Sequence, residues 1–355
     1  MTRSFDAVVA AITPLDGDAQ EQARQRQQEL TKPAGSLGML ETLAVQLAGI
    51  TGNPLPSVER RAVIVMAGDH GVAAEGVSAF PSAVTPQMVL NFLGGGAAIN
   101  ALARQVEARV VVVDVGVAAE LQHPDLISRK VALGAANMAQ GPALTRDQAL
   151  AAIQVGIDVL DEQFAQGLDL VATGDMGIGN TTAASAITAA LTGTPVSAVT
   201  GYGTGIDETQ REHKVAVIER ALAINAPDAA DPLDVLAKVG GLEIAGLTGV
   251  ILGAASHRVP VVIDGFISGA AALVAARLCP QARYYMIAGH RSVERGHQII
   301  LQELGLTPLI DLQLRLGEGT GAALAMGIVA AAARAHREMA TFAEAAVSNR
   351  DDASA

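Results

Sequence analysis

A series of short apolar runs punctuates the chain, and each stops at a polar residue beside a glycine. The series opens with Val63–Met66 in "RRAVIVMAGDHG" and continues through "ARVVVVDVGV", "LDLVATGDMG", "VPVVIDGF" and "RYYMIAGH". Runs that are β-branched and do not alternate with polar residues are typical of strands buried on both faces. Between them lie alanine- and leucine-rich segments of helical length, at 146–166, 180–192, 208–224, 241–256 and 266–278. Strand, loop and helix in alternation predict an α/β fold, a parallel sheet covered by helices on both faces. Such sheets bind ligands at the carboxyl ends of their strands. Here those ends carry Asp69, His70, Asp114, Asp175, Asp264 and His290.

The flanks follow a different pattern. "DAQEQARQRQQEL" is a polar helix, and "SLGMLETLAVQLAGI" has apolar positions at helical spacing with Ser36 as its N-cap. A last helix is expected over 319–342, before a frayed end in "AAVSNRDDASA". No internal repeat or low-complexity linker interrupts the chain. Its 355 residues suffice for one large domain with a satellite.

Composition narrows the function. A net charge of −12 argues against nucleic acid as a partner, because phosphate backbones need clustered Lys and Arg. A small anion remains compatible, held by backbone amides and a few cations. Aromatics make up 3% and tryptophan is absent, so a flat ligand must be held by aliphatic side chains, methionine and backbone. The single cysteine, Cys279, excludes an intramolecular disulfide and fits a reducing cytoplasm. "MTRSFDAVVAAITPLD" has too short an apolar run for a signal peptide, and no unbroken apolar run reaches membrane length. The expectation is a soluble, cytoplasmic protein with no membrane partner.

"GDMGIGNTTAASAI" (174–187) follows a strand and opens a helix, which places backbone amides for an anion at a positive helix end. Asn180 stands where a P-loop has its lysine, which argues against ATP hydrolysis. The segment does not match G-x-G-x-x-G either. The competing reading is a glycine turn capped by Asn180 or Thr181. In "TGYGTGIDETQREHK", alternating glycines lie before a polar helix carrying Lys214, and they suit close ligand approach or a flexible loop equally well. "AGHRSVERGHQ" begins a helix with Ser292 as a natural cap; His290 and His297 lack metal-ligand spacing. The 77–100 segment, with Gln87, Met88 and a glycine triplet, reads as a loop and packed helices or as the wall of an apolar slot. No G-x-S-x-G elbow accompanies Asp69 and His70.

In "LRLGEGTGAALAMG" (314–327), Glu318 stands between Gly317 and Gly319 just before an apolar helix. An acid at a helix start is favoured by the helix dipole. Flanking glycines also let the backbone approach a ligand closely. The residues leave open whether Glu318 caps the helix or reaches into a pocket.

Taken together and in order, "TKPAGSLGMLE", "AGDHGVAAEGVSAFPSAVTPQMV", "LGGGAAIN", "GDMGIGNTT", "GYGTGID", "VVIDGFISGAAAL", "AGHRSVERGH" and "LRLGEGTGAALAM" resemble the nicotinate-nucleotide–dimethylbenzimidazole phosphoribosyltransferase family. The resemblance runs from residue 31 to about 327. It implies a homodimer whose subunits have a large Rossmann-like domain (60–330) and a small helical domain from both chain ends (1–59 with 331–355). It implies transfer of phosphoribose from nicotinate mononucleotide to 5,6-dimethylbenzimidazole in cobalamin biosynthesis. By this resemblance Glu318 is the general base. Pro81, Ser82, Gln87 and Met88 line the benzimidazole pocket. Asp175, Gly177, Gly179, Asn180, Thr181, Gly203, Gly205, Lys214, Ser292, Arg315 and Gly317 hold the nucleotide. Asp175 departs from the pattern, standing where a relative has glutamate.

The implied chemistry suits such residues. An azole nitrogen attacks the anomeric carbon opposite the leaving group and loses its proton, for which a carboxylate is the natural base. The pyridinium already leaves well, so no metal, cofactor or covalent intermediate is required. Two other functions fit the same residues: phosphoribosyl transfer to another azole or a phenolic acceptor, and a non-catalytic nucleotide-binding module. Phosphoribosyl diphosphate is disfavoured as the donor, because "VVVDVGV" and "VVIDGF" lack paired acids after the strand.

Overall fold

The computed structural model describes residues 3–203 and 205–348. Thr204 of the glycine loop, the two N-terminal residues, and positions 349–355 of the expected small domain and frayed end lie outside the described residues. Six parallel strands form one sheet: β1 (Arg61–Gly68), β2 (Ala108–Gly116), β3 (Ile127–Ser128), β4 (Leu170–Met176), β5 (Val261–Ile263) and β6 (Met286–Ala288). Their order is β3-β2-β1-β4-β5-β6, the doubly wound order of Rossmann-like sheets. The chain reverses its direction of winding between β1 and β4, and there the loops diverge to leave a crevice.

Side-chain alternation on β1 sends its residues into two separate cores. Ala62, Ile64 and Met66 join the layer containing helices Arg146–Ala165, Leu242–Ser256 and Phe266–Leu278. Val63, Val65 and Ala67 join the layer built from helices Met39–Thr51, Ala98–Gln105 and Thr320–Glu338. The helices expected from the sequence therefore cover both faces. β3 was not legible because two residues are too few for any periodicity.

On the first face, Arg146–Ala165 and Leu242–Ser256 meet backbone to backbone. A Cβ on Gly156 would collide with the Gly246 carbonyl, and one on Gly249 with the Ile153 carbonyl. The N-terminal helix Phe5–Ala11 packs on this first face, whereas on the second face the segment around residues 26–31 meets the C-terminal residues 336–340. Arg26 Nε donates to the His336 carbonyl at 2.9 Å, and the Thr31 amide donates to the Ala340 carbonyl at 3.0 Å. Ser36 does not cap its helix. That helix starts at Met39 behind Gly38 (φ 53°), and Glu41 reaches back to accept the Leu37 amide at 3.0 Å while pairing with Lys32 at 2.8 Å.

Helix propensity alone would have Gly156→Ala stabilise the protein by about 0.5–1 kcal/mol. The contact with Gly246 predicts the opposite, a loss of about 1–3 kcal/mol from overpacking. Urea denaturation decides between them, and a stabilised variant would mean the two helices are not in backbone contact.

Candidate active site

The loop after β4 and the turn before helix Thr320–Glu338 meet over the carboxyl end of the sheet. Gly317, Glu318 and Gly319 all have left-handed backbones, with φ of 82°, 64° and 93°. For the two glycines this conformation is easy; for glutamate it is strained, and such strain gathers at functional sites. The surroundings enforce it. A Cβ on Gly174 would lie 2.5 Å from the Glu318 carbonyl, and one on Gly319 would lie 2.7 Å from Val63 Cγ1. Asp264, at the end of β5, accepts the amides of Gly319 (3.2 Å) and Ala322 (2.9 Å). Glu318 is therefore not the cap of the helix Thr320–Glu338. Gly319 occupies that position, and Asp264 supplies the carboxylate at the helix start.

Only 6% of Glu318 is exposed, and its Oε2 accepts the Ile99 amide at 3.3 Å. Burial raises its pKa above the ordinary carboxylate value; the Ile99 bond opposes this and the charge of Asp264 adds to it. Asp175 lies in the same cluster. Its Oδ2 accepts from Asn180 Nδ2 at 3.0 Å, and its buried Oδ1 has no partner. Burial, with the nearby Asp264, Glu243 and Glu318, raises its pKa well above normal. Beside these acids His70 Nε2 pairs with Glu243 at 2.7 Å, fully buried. Burial alone would lower the His70 pKa, but Glu243 and Asp69 raise it on balance.

A second group gathers around the glycine loop at 201–205. Lys214 is 1% exposed and donates to Thr181 Oγ1 at 2.6 Å. Burial lowers its pKa to about 8, against the pull of Glu294. Glu294 accepts the Gly203 amide at 2.8 Å, and Arg315 reaches the Gly203 carbonyl at 3.5 Å. Ser292 precedes the helix Arg295–Leu304 rather than capping it; its hydroxyl accepts the Glu294 amide at 3.3 Å, and its amide donates to His297 Nδ1 at 3.0 Å. Burial, aided by His290, lowers the His297 pKa to about 3, so that ring stays a neutral acceptor.

The structure thus brings Asp175, Asn180, Gly317 and Glu318 into one group and Thr181, Gly203, Lys214, Ser292 and Arg315 into another. The capping reading of Asn180 and Thr181 does not hold, since Gly179 is the N-cap and both side chains bind polar partners. Gly177 and Gly179 lie against Gly68 and His70 on the β1 loop, where a Cβ at 177 would collide with the Gly68 carbonyl. Gly205 is exposed, with φ 105°. Pro81, Ser82 and Gln87 are exposed around the start of helix Val84–Leu93, and Met88 packs against the second core. Thr85 Oγ1 ties that helix to the β4 loop by accepting the Ile178 amide at 3.1 Å.

Sequence reasoning missed Asp264 as a backbone anchor, and it missed Glu243 and Glu294 entirely. Glu243 left a usable signal, as a lone acid in an otherwise apolar buried helix. Among the described residues no group of three or more His, Cys, Asp or Glu side chains is arranged for a metal ion, and no helix is long and apolar enough to cross a membrane. A groove of about 930 Å³ opens elsewhere, between the N-terminal helices and β6, and contains none of these residues.

The sequence pattern of a family described as phosphoribosyltransferase matches residues 12–347. The nicotinate-nucleotide–dimethylbenzimidazole phosphoribosyltransferase of Chloroflexus aggregans is 64% identical over 343 residues, covering 96% of this chain and 97% of the relative. The enzyme of that name from Halalkalibacterium halodurans is 56% identical, with 96% of each chain covered. The crystal structure of the Thermus thermophilus enzyme superposes with a TM-score of 0.90 at 50% identity, covering 94% of this chain and 100% of that one.

Strain at Glu318 predicts a trade between stability and function. Glu318→Gly removes the left-handed penalty and a buried carboxylate, so unfolding stability should rise by about 1 kcal/mol while activity is lost. A less stable variant in urea denaturation would show that the side chain supports the fold instead.

Proposed function

We infer what this chain does from one fact: it belongs to the nicotinate-nucleotide–dimethylbenzimidazole phosphoribosyltransferase family. It is a phosphoribosyltransferase of cobalamin biosynthesis. It transfers phosphoribose from nicotinate mononucleotide to 5,6-dimethylbenzimidazole, giving α-ribazole 5′-phosphate and nicotinate.

The observation that carries the mechanism is the buried Glu318 carboxylate, held over the strand ends in a strained backbone. In our reading it takes the azole N–H proton as the other ring nitrogen attacks the anomeric carbon. Attack opposite the departing nicotinate inverts the β-nucleotide to the α-product. A raised pKa suits this role, since proton transfer is most efficient when the base's pKa approaches the working pH. The acids around it add an electrostatic contribution. The buried carboxyls of Asp175, Asp264 and Glu243 gather at this end of the site and give it an acidic character suited to a pyridinium donor and the cationic sugar formed as it leaves. Lys214, Thr181, Gly203, Gly205, Ser292 and Arg315 take the 5′-phosphate in this reading. Gly177, Gly179, Asn180 and Gly317 let the backbone approach the ribose. Pro81, Ser82, Gln87 and Met88 wall the acceptor base.

The same reading makes the chain a cytoplasmic homodimer, with residues 60–330 as the large domain and the two chain ends as the small one. Hydrogen bonds from Arg26 and Thr31 to residues 336–340 support a common lobe for the ends. The single cysteine fits a reducing compartment.

Glu318→Gln keeps the size of the side chain but cannot accept the proton. Turnover of nicotinate mononucleotide with dimethylbenzimidazole, followed as released nicotinate, should fall about 10²–10⁴-fold with acceptor affinity kept. Only the ionised carboxylate can act, so native activity should fall as pH drops through the raised pKa of Glu318, at a higher pH than an ordinary carboxylate would give. The variant should lack that acid limb. Near-native turnover in the variant would remove Glu318 from the chemistry.

A further inference from the structure

A carboxylate inside a phosphate-binding cluster needs a reason. Glu294 is 6% exposed, and its Oε2 has no hydrogen-bond partner. An acid so placed should repel the nucleotide's phosphate. It also takes the room that a side chain at Gly201 would need, since a Cβ there would collide with Oε2. Its other oxygen, Oε1, holds the Gly203 amide at 2.8 Å. Gly203 in turn lies against the lysine, where a Cβ would be 3.2 Å from Lys214 Nζ and 3.0 Å from Thr181 Oγ1. The glycine loop is thus pinned between a buried carboxylate and a buried ammonium. Of the three protons on that ammonium, Thr181 accepts one.

We propose that Glu294 is a positioning residue for nucleotide binding: its carboxylate fixes Gly201 and Gly203 against Lys214 and keeps the lysine charged before the nucleotide arrives. The inference rests on the reading of this cluster as the phosphate site.

The electrostatics agree with the geometry. Burial pulls the Lys214 pKa down to about 8, and Glu294 is the charge that opposes the fall. Glu294 itself is raised by burial and held back by Lys214, the Gly203 amide, Arg315 and Arg295. Those cations come from the helix Glu208–Asn225, the segment ahead of Glu318 and the next residue in the chain. Without Glu294, burial would act on Lys214 unopposed, and the lysine would lose its proton nearer neutral pH. A neutral amine binds phosphate poorly.

Two measurements on the full-length protein test this. The first needs no substrate: the Lys214 ammonium is titrated by NMR in protein labelled at lysine, native and Glu294→Gln. We expect the variant's lysine to titrate lower by about 1 pH unit, the usual scale for losing one nearby opposite charge. An unmoved titration would overturn the proposal, whatever the cluster binds. The second is kcat/KM for nicotinate mononucleotide from neutral to alkaline pH, which reports groups of the free enzyme. We expect an alkaline limb near the lysine's pKa, moved down in the variant, with kcat at saturating nucleotide little changed. A loss uniform in pH would mean a merely structural role, and tighter binding at every pH would mean that the carboxylate only opposes phosphate; either overturns the proposal. A moved lysine titration with no alkaline limb in either protein would instead overturn the phosphate-site reading, and the nucleotide-binding role of Glu294 with it. Glu294→Asp keeps the charge and serves if the glutamine variant does not fold: a limb at the native position supports the proposal, and a lowered one overturns it.

Discussion

Three successive residues with left-handed backbones, Gly317, Glu318 and Gly319, set the terms for much of the rest of the molecule. A glutamate does not stay in that conformation unaided, because its Cβ crowds the following carbonyl. Each neighbour removes an escape route. Gly174 on β4 lacks the side chain that would displace the Glu318 carbonyl, and Val63 on β1 leaves room only for a glycine at 319. From the end of β5, Asp264 grips the amides of Gly319 and Ala322. Three neighbouring strands thus fix the backbone that carries this carboxylate, and a parallel sheet is the element that can present three strands side by side.

Charge is distributed with similar economy. Beneath the strained turn the nearby acids Asp264, Glu243 and Glu318 add to the effect of burial in raising the proton affinity of Asp175, and Asp264 does the same for Glu318, while Lys214 and Arg315 stand around the glycine loop. Burial strengthens both groups, because charges interact more strongly where water is excluded. The proposed placement of the nucleotide, with its cationic pyridinium towards the acids and its phosphate towards Lys214 and Arg315, follows that polarity. Scarcity of aromatics then follows without difficulty. In the proposed reading the flat base is held through charge and close backbone approach, with Met88, which packs against the second core, as an adaptable apolar wall.

Much of this was legible in the sequence, for particular reasons. Buried parallel strands show as apolar runs even when short, so the three-residue β5 and β6 were found because a glycine and a polar residue end each of them. The two-residue β3 offered no such run. Glu318 was conspicuous through its flanking glycines, but whether it capped the helix was not, because the cap comes from Asp264, far away in the chain. The same limit hid Glu294, which reads as an ordinary acid ahead of a helix until Gly201 and Gly203 fold onto it. The Ser36 cap failed for a local reason: Gly38 turns the chain and Glu41 takes over the work. Periodicity reports which face of an element is buried. It carries no information about which distant backbone amide a carboxylate will meet.

That difference explains where the missed residues lie. The positions found from sequence are those where residue type is constrained by its own backbone, glycines above all. The positions missed are carboxylates whose partners are amides on other loops, Asp264 with Gly319 and Ala322, and Glu294 with Gly203. A buried carboxylate that accepts main-chain amides fixes backbone geometry more tightly than packing alone, because moving it leaves charged and polar groups unsatisfied. Both loops that bear on the proposed chemistry are held in this way, one at the proposed base and one at the proposed phosphate site. The strained turn at Glu318 and the glycine loop beside Lys214 are therefore held by the same device: an acid from a distant part of the chain, bound to a glycine amide.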